Sequence, residues 1–472
     1  MPVNTPRSDY DEAASTWAQM RDCYRGRAAI ISGGETYTPT LPAASPAAQA
    51  AYVNRGSYYN SLRRTVTGLV GGVFQRAPRF DVPARARPWL DDVTLTNIPM
   101  SAFALDATAE VLLMARFGVL VEMASSTPND ETRPYLVSFT AENIINWRTR
   151  SIGGDDVLTL VVLRETPTVI DPADPFAVQS IEQYRVLSLD DEMRYSQQLW
   201  RRPNQSGDFA PYGDAVIPLR RGEPLNFLPF TFLAPSYSTP DISSPPLLDL
   251  ADLALSMWRN SVDLEAGLHL TALPTPWASG LRASDDSVLE IGPSTVWLLD
   301  KDGAAGFLEF SGAGMKALEV ALDQKQRQQA TLGAQLLEEK PTLAAETATA
   351  VLARSAGEHA TLRTVAEAMQ QSLRRILQTM IWWDGVDARP LDVPVEVALN
   401  TDFLQIKAPP QEIQTALMTL QAGEISYATF WNLLTEGGWA RNNVSAEEER
   451  LEISREPAPR PPPATEVIEV ER

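Results

Sequence analysis

Few residues in this chain have the types and spacing that chemistry requires. Its two histidines, His269 and His359, lie about 90 positions apart, each inside a helical pattern. Neither has a local partner for proton transfer, so each reads as a packed or partly exposed helix residue. The single cysteine, Cys23, has no neighbouring histidine and no CxxC companion, which argues against a nucleophile or a zinc ligand. "GLVGGVF" (Gly68–Phe74) is glycine-rich but lacks the Lys-Ser/Thr of a phosphate loop and the spacing of a dinucleotide fingerprint, so close helix packing explains it better. "DPADP" (Asp171–Pro175) lacks the alternating oxygen ligands and distal Glu of a calcium loop and reads as a turn. The adjacent pairs Asp190-Asp191 and Glu338-Glu339 could in principle serve as acid and base, although neighbouring carboxylates are ordinarily just solvated. The tryptophans are spread from Trp17 to Trp439 without a stacking cluster. The pattern predicts no catalytic residues, no metal and no cofactor.

What remains is a scaffold, and its composition bounds the kind. The 472 residues suffice for two or three domains, and 44% hydrophobic with 21% charged residues is ordinary for a globular protein. No run approaches the roughly 18 apolar residues of a membrane helix. The N-terminal "MPVNTPRSDYDEAAS" does not have the form of a secretory signal, and a lone cysteine fits a reducing cytoplasm. Net charge is −20, and the lysines are only Lys301, Lys316, Lys325, Lys340 and Lys407. A nucleic-acid grip normally rests on a basic face, and the total charge shows no such surplus. The acidic balance either serves solubility alone or lines a passage where a polyanion must slide without sticking.

The elements read as α+β. Asp9–Gly26 is a first helical pattern, and Pro46 to Gln75 reads as one longer helix, with Tyr59, Leu62, Val66, Leu69 and Val73 at alternating steps of 3 and 4. Ser101–Phe117 predicts a helix and Gly118–Ala124 a strand. From Tyr135 to about Phe232 the period changes to 2, predicting antiparallel strands. Ser244–Thr271 is a helix with Ser244 as its cap. The strand candidates "SVLEI", "TVWLL" and "GFLEF" follow, then a more polar helix over Met315–Leu332. After Pro341 a seam repeats at steps of 4 and 3: Ala348, Leu352, Ser355, His359, Leu362, Ala366, Met369, Leu373, Ile376 and Met380. Continuous from Ala345 to Trp383, that helix would be about 58 Å long, a strut packed closely on a neighbour. A strand over Val393–Asn400 and a helical pair after Pro409-Pro410 complete the chain, with Gly423 as C′ residue and Ser426 as cap.

Taken in order, "WAQMRDCYRG" (Trp17–Gly26), "YYNSLRRTVTGLVGGVFQRAPRF" (Tyr58–Phe80), "SPPLLDLADLALSMWRNSVDLEAGLHLTALPTP" (Ser244–Pro276) and the segment Glu346–Gly385 resemble the portal (head-to-tail connector) proteins of tailed bacteriophages. More narrowly, they resemble a portal-like family known mainly from phage and prophage genomes. The resemblance spans about Tyr10–Glu452. It implies a multi-domain portal architecture and a ring, of twelve subunits, at one capsid vertex. Double-stranded DNA would be packaged and ejected through it, with no ATPase of its own. Residues 1–243 would form the N-terminal part of the wing, 244–271 and 315–332 the stem helices, and 272–314 the clip between them. Residues 333–345 would be the tunnel loop, 346–408 the long helix and the rest of the wing, 409–456 the crown, and 457–472 a disordered tail. Glu338, Glu339, Lys340 and Thr342 would face the DNA channel. Lys340 could touch phosphates weakly or merely pair with a neighbouring carboxylate. Trp277, Leu281, Val288 and Trp297 would form the clip interface.

The implied partners are further copies of the chain, the DNA, a terminase, a head–tail adaptor, and the major capsid and scaffolding proteins, with no membrane. The implied place is the virion, and the host cytoplasm during assembly. Twelve copies would carry roughly −240, a repulsive passage for DNA with one charge per about 1.7 Å. Two other readings stand beside this one: another head component, such as an adaptor or capsid-associated protein without its own channel, and an acid-type hydrolase using two carboxylates.

Overall fold

Leu362, Ala366, Met369, Leu373, Ile376 and Met380 fall on one stripe of a helix, and all six are buried. That helix organises the body. The computed structural model describes residues 2–123, 133–171, 174–203, 207–271, 275–281, 299–308, 313–334, 360–401, 403, 410–436, 439–440, 444 and 446–455. Within them the fold is α+β.

The N-terminal helices are α1 (Ser8–Arg25), α2 (Arg27–Ser32), α3 (Pro46–Arg55), α4 (Ser61–Val73) and α5 (Met100–Met114). Strand β1 (Arg79–Asp81) lies between α4 and α5. The run expected as one helix from Pro46 to Gln75 is thus broken into α3 and α4. Packing breaks it: a Cβ on Gly56 would collide with Val262 Cγ2 and stand 2.9 Å from the Trp258 ring. Only glycine lets the backbone approach that closely. The chain restarts at Asn60, whose Oδ1 accepts from Arg63 N at 2.9 Å as the cap of α4. Gly56→Ala is therefore expected to cost about 1–3 kcal/mol by overpacking, read as a lowered midpoint in thermal denaturation followed by circular dichroism.

Strands β2 (Phe117–Met123) and β3 (Pro134–Thr140) pair antiparallel, and β13 (Phe230–Leu233) pairs on the other side of β2. All but the last residue of β2 are buried, as expected of a strand covered on both faces. Strands β4 (Ile144–Ile152), β5 (Asp155–Glu165), β8 (Gln183–Leu189), β9 (Tyr195–Arg201) and β10 (Ala210–Val216) form an antiparallel sheet in the order β10-β9-β8-β5-β4. Strands β6 (Thr168–Asp171) and β7 (Asp174–Ser180) pair antiparallel and take in Asp171, Asp174 and Pro175 of "DPADP", whose second and third residues lie outside the described residues, and β11 (Leu219–Arg220) pairs with β12 (Glu223–Pro224). The period-2 stretch thus folds as antiparallel strands.

The next elements are α6 (Leu248–Thr271), β14 (Thr275–Leu281), β15 (Leu299–Leu308), α7 (Ala313–Ala334) and α8 (Ala360–Asp384). Helix α6 starts at Leu248, not at Ser244: Leu248 N donates to Pro245 O at 3.2 Å, a turn that precedes the helix and leaves Ser244 outside it. The described part of the strut, α8, has 25 residues and spans about 37 Å. It lies across β13, β2 and β3 and touches α4 and α5. Each Leu, Ile or Met of its stripe contributes about 1.5–3 kcal/mol by burial. Ala348, Leu352, Ser355 and His359 of the expected seam lie outside the described residues.

The C-terminal end of α8 is held by two arginines. Arg220 donates to the carbonyls of Trp382 (2.9 Å), Gly385 (3.0 Å) and Asp387 (2.7 Å), with its guanidinium 4.0 Å from the Trp382 ring centre. Arg85 adds a longer bond to Ile381 O at 3.4 Å. Both satisfy end carbonyls and place positive charge at the negative end of the helix. After α8, β16 (Glu396–Ala398) pairs with β1, returning the chain to the N-terminal half as expected for Val393–Asn400. Helices α9 (Pro410–Gln421), α10 (Tyr427–Glu436) and α11 (Ala446–Arg455) follow. Glu424 N bonds Thr419 O and Gly423 N bonds Leu420 O, with Gly423 at φ 77, a Schellman ending for α9. Ser426 Oγ accepts from Thr429 N at 3.1 Å as the cap of α10.

Candidate functional site

The candidate site is an arm built from α6, β14, β15 and α7. Its helices run antiparallel: Lys325 Nζ of α7 donates to Ser256 Oγ of α6 at 2.7 Å, while a Cβ on Gly267 would meet Met315 Sδ at 3.8 Å. The first half of α6 is anchored in the body through Leu250, Ala251, Leu255, Trp258 and Val262, all in the main core. Beyond Ala266 that anchoring ends, and Leu268 and His269 are exposed.

Helix α7 is polar on most of its circumference. Met315, Leu318, Leu322, Lys325 and Gln329 recur at steps of 3 and 4 and form its covered stripe. Burial against α6, with Arg259 nearby, lowers the Lys325 pKa from the usual lysine range. Near the far end of α7, the Gln329 side chain is buried with neither amide atom paired among the described residues.

At the tip, β14 and β15 pair antiparallel, with Trp277 opposite Gly306 and Leu281 opposite Leu299. A Cβ on Gly306 would stand 3.2 Å from Trp277 Nε1, so the glycine makes room for the indole. Trp277 and Phe307 remain exposed. Of the strand candidates, "GFLEF" is met by the end of β15, "TVWLL" only at Leu299, and "SVLEI" lies outside the described residues. Strand β15 also takes in "LDKDGAAG", a poor strand former that pairing with β14 holds extended. Of the site residues expected from sequence, Trp277 and Leu281 are brought to this tip. Val288, Trp297, Glu338, Glu339, Lys340 and Thr342 lie outside the described residues.

Elsewhere, titratable groups are engaged in holding the body. Arg185 bridges Glu122 at 2.8 Å and Glu165 at 2.6 Å, and Tyr135 donates to Glu122 at 2.7 Å. Burial, with the Glu122 charge beside it, raises the Tyr135 pKa. Arg21 joins Glu110 and Glu142 at 2.7 Å each. Burial opposes ionisation of Glu142, but the Arg21 hydrogen bond and charge hold its carboxyl below the ordinary value. In both clusters the arginine lies within bonding distance of both carboxylates, a structural bridge across parts distant in sequence. Burial pushes the Cys23 thiol up to about 12, consistent with an inert core thiol. Among the described residues no three His, Cys, Asp or Glu side chains gather to hold a metal ion, and no helix is long and apolar enough to cross a membrane.

One run of like charge along the sequence escaped the reading by total charge. Residues 55–87 hold seven arginines (Arg55, Arg63, Arg64, Arg76, Arg79, Arg85, Arg87) against one acid, Asp81. A windowed charge count would have found it, whereas the chain-wide −20 hides it.

A family model described as "Domain of unknown function (DUF4055)" matches residues 246–384, the arm together with the segment through α8. This is less than half of the chain. No curated protein matches. The solved structures that resemble the chain include "Neck of empty GTA particle computed with C6 symmetry", at 13% identity and TM-score 0.38, covering 88% of this chain and 99% of that one. Another is "Virion of native gene transfer agent (GTA) particle", at 12% identity and TM-score 0.38, covering 86% and 98%. At these values the likeness carries no argument about fold or role.

Proposed function

We propose that this chain is a structural component of a phage-like head or neck, and more narrowly a portal-type subunit that closes a ring around a channel for double-stranded DNA. The observation that carries this reading is the arm. Two antiparallel helices leave the α+β body and end in the paired strands β14 and β15, and the arm exposes Leu268 (37%), Val320 (60%), Trp277 (46%) and Phe307 (61%). Large apolar side chains exposed along both helices and both strands of a projecting element suit it to be covered by a partner. In a ring, that surface meets the neighbouring copy through a heterologous contact. The order of segments, which resembles that of portal proteins, supports the same assignment: body as wing, α6 and α7 as stem, β14–β15 as clip, α9 to α11 as crown.

In this reading residues 333–345, with Glu338, Glu339, Lys340 and Thr342, form the tunnel loop, and the clip residues dock the terminase and then the adaptor. Packaging energy comes from the terminase, and the acidic ring keeps DNA from adhering. Native mass spectrometry with negative-stain imaging tests it. The expected particle is closed, near twelve 51.8-kDa copies or roughly 620 kDa, with a central hole. A stable monomer or dimer at high concentration would shift the assignment to an adaptor without its own channel.

A further inference from the structure

Five arginines meet where α1 passes into α2 and α3 into α4. Arg25 and Arg27 flank Gly26, whose φ of 97 turns the chain between α1 and α2. Arg63 donates to Tyr24 O and Arg25 O, each at 2.9 Å, and lies 5.3 Å from the Tyr24 ring centre. Arg27 donates to Asn54 O at 2.8 Å and Gly56 O at 3.4 Å, the residues on either side of Arg55. Arg64 follows Arg63 on α4 and reaches Tyr59 Oη at 3.5 Å. Asn60 ties the junction together by donating to Tyr24 O at 2.9 Å.

Two of the five have a local duty. Arg63 satisfies the last carbonyls of α1 and Arg27 those of α3, the ordinary work of a cation at a helix C-terminus. Arg25, Arg55 and Arg64 make no comparable bonds. None of the five forms an ion pair with a carboxylate among the described residues. Two acids on the packed helices are engaged elsewhere: Asp22 accepts from Tyr37 and Asp263 from Tyr52. In a chain of net charge −20, five arginines without counter-charges on one junction are an exception that total charge does not explain.

We propose that this junction binds the phosphate backbone of double-stranded DNA. A guanidinium presents a planar fork that matches phosphate oxygens two at a time, and the cluster is all arginine with no lysine. Tyr24, Tyr58 and Tyr59 interleave it, and Tyr59 is exposed. At physiological salt the chain's net repulsion is screened beyond about 8 Å, so local contacts decide once DNA arrives. The site rests on the channel reading only for its ligand: DNA is the polyanion such a particle holds. It gives the ring a place of phosphate contact apart from its acidic passage.

The test is fluorescence anisotropy of a short labelled duplex with the full chain, between about 50 and 200 mM salt. Arg55→Glu/Arg64→Glu removes two exposed guanidiniums, of which only Arg64 makes a hydrogen bond within the described residues, the long one to Tyr59 Oη. It is compared with Arg150→Glu/Arg194→Glu, the same charge change on β4 and in the connection between β8 and β9. The junction variant is expected to lose at least tenfold in affinity, and its slope of log K against log salt is expected to fall by about 2, at 0.9 per lost phosphate contact. The comparison variant keeps the wild-type slope. Equal losses in both variants, or no wild-type binding, would overturn the site. Negative-stain images of the same samples separate it from the ring reading. A junction variant that keeps its ring but loses DNA supports the site, and one that loses its ring overturns it in favour of a contact between copies. Wild-type DNA binding by a chain that forms no ring would support the site while removing the channel.

Discussion

Trp258→Ala is expected to destabilise the protein by about 3–5 kcal/mol, whereas Trp258→Phe stays within about 1 kcal/mol of wild type. Trp258 is 1% exposed. It sits where α6 is about to leave the body, with its ring edge-on to Tyr58 at 6.2 Å and closing over Gly56. Alanine would open a cavity at the root of the arm, where helices from both halves of the body hold the surroundings in place. Phenylalanine keeps most of the volume and removes a burden. The Trp258 indole N–H is buried without a partner among the described residues, and such a group costs about 1–3 kcal/mol. Loss of that cost offsets the smaller ring. Urea denaturation followed by circular dichroism checks the pair. A Phe variant as unstable as the Ala variant would mean that the indole N–H is bonded. Hydrogen exchange should also rise in α7 for the Ala variant, because α7 is held largely through α6.

The parts of this architecture legible in sequence are those whose partner face repeats locally. The stripe from Leu362 to Met380 could be read because a broad sheet covers one side of a regular helix. The strands of the five-stranded sheet could be read because polar turns punctuate short runs rich in Val, Leu, Ile, Tyr and Trp, even where burial along β5, β9 and β10 does not alternate. Long-range packing set what was missed. Nothing near Gly56 in sequence announces that Val262 and Trp258 press on it, so α3 and α4 read as one helix. The start of α6 moved past Ser244 because Pro245 accepts in a turn before the helix begins. The arginine junction went unseen because α1, α2, α3 and α4 assemble it from separate segments, and an average over the chain cancels it. At the arm, the strand that carries Trp277 was missed because "TPWASGL" has a proline and a glycine and no clear alternation, and its partner strand β15 runs through residues that favour turns.

Leu268→Glu/Val320→Glu is expected to leave the folded chain intact and abolish ring closure. Leu268 lies on α6 and Val320 on α7, 37% and 60% exposed, so a carboxylate at either remains hydrated in the separate chain. Substitutions at such positions ordinarily change stability by no more than about 0.5 kcal/mol. The situation reverses if a neighbouring copy covers the arm. Each interface would then bury two unpaired carboxylates, a cost of several kcal/mol per copy that recurs at every junction around a closed ring. The long-range field argues in the same direction, because each copy already carries −20. Leu268→Lys/Val320→Lys separates the two effects. It lowers the net negative charge, so a defect from overall repulsion would be relieved, while a defect from burying charge would persist. Native mass spectrometry reads the copy number and thermal denaturation the fold. Rings in both variants would mean that the arm faces solvent, and the channel reading would lose the observation that carries it. Rings lost in both, at unchanged midpoints, would place the neighbouring copy on α6 and α7.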